Sequence, residues 1–400
     1  MKRIVKIATL IILLFSPVFM SAKMPNDIKR GDVYIVRNNI DLKGSSLELP
    51  KDVTLNFKGG KISNGTVIGD NTAVVGNLKQ IFDRVTIRGS WNVENISTNM
   101  FVSKSEDNFL RNVIALSNPN IPNTIKIEKG NYFISLKKEG ETGLYVKDKS
   151  ILIIDGMIYL RGSNIQRYNI IETNGKNVTI CGMGSIVGDR KVHNGKNGEW
   201  GHGIMIWGAN DVIIKDIEVN NCWGDCIYVG GNSSKIKISN CNLGYSRRQG
   251  VSVTSGKNIS ILDCVIHDIF GTDPQHGIDI EPNPSCSIDM ITIKGCHIYN
   301  CHGGVMFLGN AKVARIGTVR LEKNVIKNIK YMYPVMCMMC SNVSIINNQV
   351  WTVGKYAIQI RDTEGVVAKD NVLYGHNRNL LNIYKCINSS CIQNIMHKTK

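Results

Sequence analysis

Beyond about residue 120 one hydrophobic pattern recurs. Short runs of Val and Ile alternate with polar residues at period two and break at Gly, Asn, Asp or Ser. A strand turns successive side chains to opposite faces, so each run buries one face and leaves the other outside. The segments IKISNCNL, ISILDCVI, ITIKGCHI, VRLEKNVI, VSIINNQV and VVAKDNVL align on one column: Cys241, Cys264, Cys296, Asn324, Asn348 and Asn371, with Ile217 one repeat earlier. The spacings are 24, 23, 32, 28, 24 and 23 residues. Self-similarity at that period marks a solenoid. Strands without intervening helical periodicity make it all-β: a right-handed single-stranded parallel β-helix. Stacked column residues would lie about 4.8 Å apart, a distance that lets Asn side chains hydrogen-bond along the stack.

A second alignment, of HGIMIWG, DCIYVGG, QGVSVTSG, HGIDIEPN, HGGVMFLG, YPVMCMMC, YAIQIRDT and NLLNIYKC, assigns one outward face. Its paired positions are Met205/Trp207, Tyr228/Gly230, Ser252/Thr254, Asp279/Glu281, Val305/Phe307, Met336/Met338, Gln359/Arg361 and Asn382/Tyr384. Among these eight pairs only Asp279 and Glu281 are acidic, on a face that otherwise carries aromatics. Turn lengths single out the same place. Cys264 to His276 spans 12 residues where 6 to 9 is usual, and His276 to Cys296 spans 20 where 15 or 16 is usual. Enlarged turns could wall a cleft there. The long turn Asp189–Trp200 offers Arg190, Lys191, His193 and Lys196 to an anion.

The remaining segments divide as follows. Residues 1–22 read as a cleavable export signal: Lys2, Arg3 and Lys6, an apolar run from Ile7 to Met20, then Ser21-Ala22. The run is short for a membrane span, so a secreted or periplasmic location is expected. Residues 23–120 are expected to form irregular first coils and a helix from Asp107 to Leu116 that caps the solenoid's N-terminal end. Residues 121–385 form the β-helix, and 386–400 a polar tail.

Charge and cysteine refine this. The formal net charge of +16 falls to +13 without Lys2, Arg3 and Lys6. A basic exported chain suits an acidic glycan better than nucleic acid. Twelve cysteines would suggest disulfides, but parallel Cβ vectors one coil apart suit a disulfide poorly, so Cys241, Cys264 and Cys296 are predicted unpaired. Cys337-Met338-Met339-Cys340 is a lone CxxC, which reads as packing ahead of zinc.

The helix followed by TIKIEKGNYFIS resembles the opening of pectate-lyase-superfamily β-helix proteins. The run GYSRRQGVSV…GTDPQHGIDIEPN resembles a segment of phage-tailspike-like β-helix proteins, and the whole is broadly similar to glycoside hydrolase family 28. The resemblance implies a polysaccharide partner and an enzyme acting on it, although this superfamily hosts hydrolases, lyases and binders alike. Family 28 carries its acids in Asn-x-Asp, Asp-Asp and Gly-His-Gly motifs. Here Gly201-His202-Gly203 precedes the acids and no Asp-Asp occurs.

Two carboxyls two residues apart on a strand stand roughly 6–7 Å apart, near the separation of an inverting glycosidase. Asp279 and Glu281 are therefore the candidate catalytic pair, with Asp225 as a third acid and His276 to orient them. Arg247, Arg248, Trp207, Tyr228, Phe307 and Arg361 are the candidate substrate-binding residues. No cofactor is expected for a hydrolase. A lyase on a uronate glycan would lean on Arg248, Arg361, Lys191 and His276, with calcium possible. A catalytically silent glycan-binding protein is the third reading. The same residues have blander roles: a solvated or calcium-binding acid pair, arginines that brace a turn, and repeat-related histidines at 202, 276 and 302.

Overall fold

The computed structural model describes residues 28–104, 107–310, 316–330 and 333–399. The export signal expected at 1–22 lies outside them. Three parallel sheets wind as a solenoid of about 15 turns. The sheet that matters for function has ten strands, each hydrogen-bonded to the next: Glu141–Tyr145, Arg167–Thr173, Trp200–Trp207, Ile227–Gly230, Val251–Val253, His276–Ile280, Gly303–Leu308, Val335–Met338, Ile358–Arg361 and Leu381–Tyr384. A twelve-stranded sheet runs from Asn95–Ser97 to Ile387–Ile392, and an eleven-stranded one from Asn131–Ile134 to Ile395–Lys398. A six-stranded sheet holds the N-terminal coils.

Inward Val, Ile and Leu fill the lumen. Ile204, Ile227, Val251, Ile278, Val305, Val335, Ile358 and Leu381 stack as one buried row. Each rung presents the same apolar shape to the next, so hydrophobic burial and ladder hydrogen bonds select the same register.

The Cys/Asn column sits at a corner. Cys241, Cys264 and Cys296 are buried and unpaired, each thiol within reach of the carbonyl two residues back. Asn324, Asn348 and Asn371 form a hydrogen-bonded ladder that continues to Asn394, with amide-to-carbonyl distances of 2.8–2.9 Å. The residue before each column position is left-handed: Asp216, Asn240, Asp263, Gly295, Lys323, Asn347 and Asp370, with φ between +51° and +69°. Asp, Asn and Gly tolerate that region, and this conformation turns the chain from one sheet to the next. Cys337 and Cys340 are buried in the core, as packing residues.

Three expectations change. The helix runs from Phe109 to Ala115 and packs between strand Phe82–Asn92 and strand Glu141–Tyr145. A continuous run of ring contacts, Phe82–Phe101–Phe109–Tyr132, crosses it. It therefore bridges two parts of one core, and its expected role as an end cap is not confirmed. The segment expected as a tail forms strands Ile387–Ile392 and Ile395–Lys398, in parallel register with the preceding coil. Its outward polar residues disguised an added rung. The third change concerns the register at Phe307 and falls in the site itself.

Candidate functional site

Strand His276–Ile280 crosses the middle of the ten-stranded sheet, with Ile278 and Ile280 buried in the lumen. The cross-coil register stacks Met205, Tyr228, Ser252 and Asp279 as one outward row. Glu281 follows one pleat on, and its N–H still donates to Val253 O at 3.0 Å. The next strand is shifted: Asp279 pairs with Met306 and Ile280 with Phe307. Gly303 aligns with His276, so one extra residue precedes this rung and moves every side chain to the other face. Phe307 is consequently core, 0% exposed, and takes no part in substrate binding. Met306 and Leu308 face outward in place of Val305 and Phe307.

Asp279 and Glu281 line a cleft of about 570 Å³ with Trp200, Tyr228, Arg248 and Ser252. Its far wall is the enlarged turn after the acidic strand, Pro282-Asn283-Pro284, together with Leu308, Gly309 and Asn310. Asp279 is only 3% exposed. Gln249 Nε2 donates to its Oδ2 at 2.8 Å, and Gln249 Oε1 accepts from His276 N–H at 2.6 Å. Asp279 Oδ1 is buried and has no hydrogen-bond partner among the described residues. Burial raises the Asp279 pKa to about 8, the Glu281 charge adds to the rise, and the Arg248 guanidinium opposes it. Asp279 is thus an uncharged acid at neutral pH. Burial also raises the pKa of the half-buried Glu281, again against Arg248.

Behind this pair lies a second layer. Asp225 is fully buried and receives Arg248 Nη1 at 3.3 and 3.4 Å. Arg248 Nε reaches Glu199 at 3.5 Å. His202 Nδ1 lies 3.5 Å from Asp225, and its ring stacks on Tyr228 at 4.7 Å. His202 and His276 share one row with Asp225 and Gln249 between them, whereas His302 is one residue out of register. Burial lowers the pKa of both His202 and His276 to about 4, so both stay neutral at pH 7.

Several candidates stand elsewhere. Arg247 lies over Trp223 at 4.1 Å and donates to Gly198 O and Lys196 O, which pins the 189–200 turn. Arg190 donates to Tyr245, Ser246 and Phe270 carbonyls at 2.7–2.8 Å. His193 is buried on Asp189 at 2.8 Å and stacked on Trp223. Backbone carbonyls thus occupy the guanidinium groups of Arg190 and Arg247, and Asp189 holds the His193 ring, so these side chains, expected to meet an anion, are already engaged. Trp207 covers Gly230, where a Cβ would come within 2.7 Å of the ring, and it stays outside the cleft. Arg361 pairs with Asp362 at 2.9 Å, three rungs from Asp279.

Trp200, Glu199, Gln249 and Ser252 were not among the candidates. Gln249 had a signal: QGVSV aligns with HGIDI. Ser252 had the same one, as the outward neighbour of Asp279 in that alignment, whereas Trp200 and Glu199 become visible only when the coils stack.

The model of the right handed beta helix region matches residues 126–289, and that of the periplasmic copper-binding protein NosD matches residues 246–399. Two proteins of Bacillus subtilis (strain 168) are similar over part of their length. The uncharacterized protein YclG is 32% identical over 34% of this chain and 26% of its own; the SPbeta prophage-derived uncharacterized protein YorA is 25% identical over 48% of this chain and 37% of its own. The chain therefore spans about a quarter to a third of these relatives. Among solved structures, the A-module of the Azotobacter vinelandii mannuronan C-5 epimerase AlgE6 aligns with a TM-score of 0.59 at 12% identity, covering 76% of this chain and 96% of that one. A tailspike protein mutant of E. coli bacteriophage HK620, in complex with pentasaccharide, aligns at 0.53 with 11% identity, over 76% and 67%. Among the described residues no three His, Cys, Asp or Glu side chains converge where an ion could sit. Cys337 and Cys340 are core, and no described helix is long and apolar enough to cross a membrane. Register, corners and comparisons agree on one architecture, a right-handed parallel β-helix.

Proposed function

We propose that the protein is an exported polysaccharide hydrolase that works by inversion, with Asp279 as general acid and Glu281 as general base. One observation carries the reading: a carboxyl buried enough to hold its proton to about pH 8 shares an open cleft with a second, half-exposed carboxyl one pleat away. Environments that push two carboxyl pKa values apart assign acid and base.

In the reaction, a water oxygen attacks the anomeric carbon and the bond from that carbon to the leaving oxygen breaks. Asp279 gives its proton to the leaving oxygen while Glu281 takes one from the water. Gln249 accepts no role in proton transfer. It donates to Asp279 Oδ2, which leaves Oδ1 to carry the proton. Trp200 and Tyr228 offer ring faces for sugar stacking. The polysaccharides named with the mannuronan epimerase and the pentasaccharide named with the phage tailspike support a glycan as substrate. The periplasmic name of the NosD model supports export.

Arg248 in the cleft favours a second reading, a lyase in which it neutralises a uronate carboxylate. The two separate in one assay on a panel of polysaccharides, following reducing ends and the absorbance of unsaturated sugars. Hydrolysis releases reducing ends without unsaturation; elimination produces both. Asp279→Asn and Glu281→Gln should each lower the rate by about 10²–10⁴-fold, the usual worth of a general acid or base. Full activity in either variant rules out this assignment.

A further inference from the structure

The cleft does not share the molecule's net positive charge. The chain as a whole has a formal net charge of +16. Among the described residues that line the cleft, Arg248 is the only cation. It is already engaged by Asp225 at 3.3 Å and Glu199 at 3.5 Å. Glu281 adds a further carboxylate at the reacting position. A uronate carboxylate entering here would meet Glu281 and a guanidinium whose charge Asp225 and Glu199 already offset, so it would lose its hydration for little electrostatic return.

Beside Arg248 Nε, which faces Glu199 without a hydrogen bond, two buried neutral polar atoms of the cleft await a partner. Ser252 Oγ and Asp279 Oδ1 are both buried and both lack a hydrogen-bond partner among the described residues. They belong to residues 1% and 3% exposed, on adjacent rungs of the cleft wall. Adjacent rungs stand about 4.8 Å apart. A hydroxyl and a protonated carboxyl at that spacing can each give and accept a hydrogen bond, which matches sugar hydroxyls or an acetamido group.

Resting on the hydrolase reading, we propose that the reacting subsite takes an uncharged sugar, held by Ser252 and Asp279, and that it discriminates against uronates. Any charged sugar of the polymer binds farther along. Arg167 lies over the Trp200 ring at 5.1 Å, on the strand four rungs before that of Asp279 and five residues along it from the Asp279 row. The basic surface outside the cleft can therefore attract an anionic polymer while the bond cleaved flanks a neutral residue.

The test uses the full-length protein as the Asp279→Asn variant, which lacks the catalytic acid but keeps the Glu281 carboxylate and a neutral hydrogen-bonding side chain at 279, and matched pairs of oligosaccharides. Each pair is a uronate-containing oligosaccharide and the same chain with its carboxyls reduced to alcohols. Affinity is read by calorimetry. The neutral member of a bound pair is expected to bind at least tenfold more tightly, and Ser252→Ala in the same background should weaken it about fivefold or more. Equal or tighter binding of the acidic member overturns the proposal, as does retention of neither member of any pair. Wild-type hydrolysis of an acidic member preferred in this way leaves the hydrolase reading standing while this one fails. Tight neutral binding with no reducing ends released by the wild type has the converse meaning. Glu199→Gln, which frees one side of Arg248, should narrow the preference for the neutral member.

Discussion

Gln249 illustrates how one side chain sets the chemistry of another. The His276 N–H holds its carbonyl, so its amide hydrogens have one direction left, toward Asp279 Oδ2. Gln249→Leu removes that donor and leaves a buried acceptor unpaired, at about 1–3 kcal/mol. Its signature should be a fall in kcat of about tenfold or more with KM little changed, measured on whichever glycan the panel identifies. Arg248 acts on both acids at once. It lowers the pKa of Asp279 and of Glu281, so Arg248→Gln should move both limbs of the pH–rate profile upward. The upper limb would start from about pH 8, where Asp279 loses its proton. The same change strips the buried Asp225 of its cation and should cost about 3–5 kcal/mol in denaturant unfolding. A profile that stays in place in a folded variant would remove Arg248 from the electrostatics of the pair.

Elements carry the site because stacked strands repeat their faces. A rung places a side chain outward by parity alone, and an inserted residue reverses that parity. The pair Phe307 and Trp207 makes this measurable. Phe307 fills the lumen at 0% exposure, so Phe307→Ala should destabilise by about 3–5 kcal/mol through the cavity it leaves. Trp207 is 43% exposed and outside the cleft, so Trp207→Ala should cost less than half as much and leave glycan affinity within about twofold. Comparable losses of stability in the two variants would contradict the observed register. Legibility follows the same rule. Seven of the eight outward pairs were readable from alternation, and the eighth failed where Gly303-Gly304 opens the strand.

The molecule as a whole couples its site to stability through pH. His202 and His276 are buried neutral, with pKa values near 4 against 6.5 for the unfolded side chain. The unfolded chain binds their protons first, so they contribute stability that is lost as pH falls from about 6.5 to about 4. Asp279 behaves oppositely. Its folded pKa of about 8 lies above the ordinary 3.8, so its contribution declines as pH rises through that interval. Above pH 6.5 the histidines add nothing further, and Asp279 sets the slope. Thermal or urea unfolding should therefore show stability falling between pH 6.5 and 8, and Asp279→Asn should flatten that fall. A level wild-type profile across this range would mean that Asp279 is ionised at neutral pH, and the acid role would go with it.

Two periodicities determined the fold from sequence alone. Alternation at period two and recurrence at 23 to 32 residues leave stacked parallel strands as the arrangement that buries every apolar row. The same alternation marked Asp279 and Glu281 as the acidic rung. Tertiary structure alone decided what surrounds them. Gln249, Ser252 and Trp200 lie 27 to 81 residues from the acids in the chain and join them in the cleft only across coils. Burial, which separates the two carboxyls into an acid and a base, belongs to that stacking and not to any residue by itself.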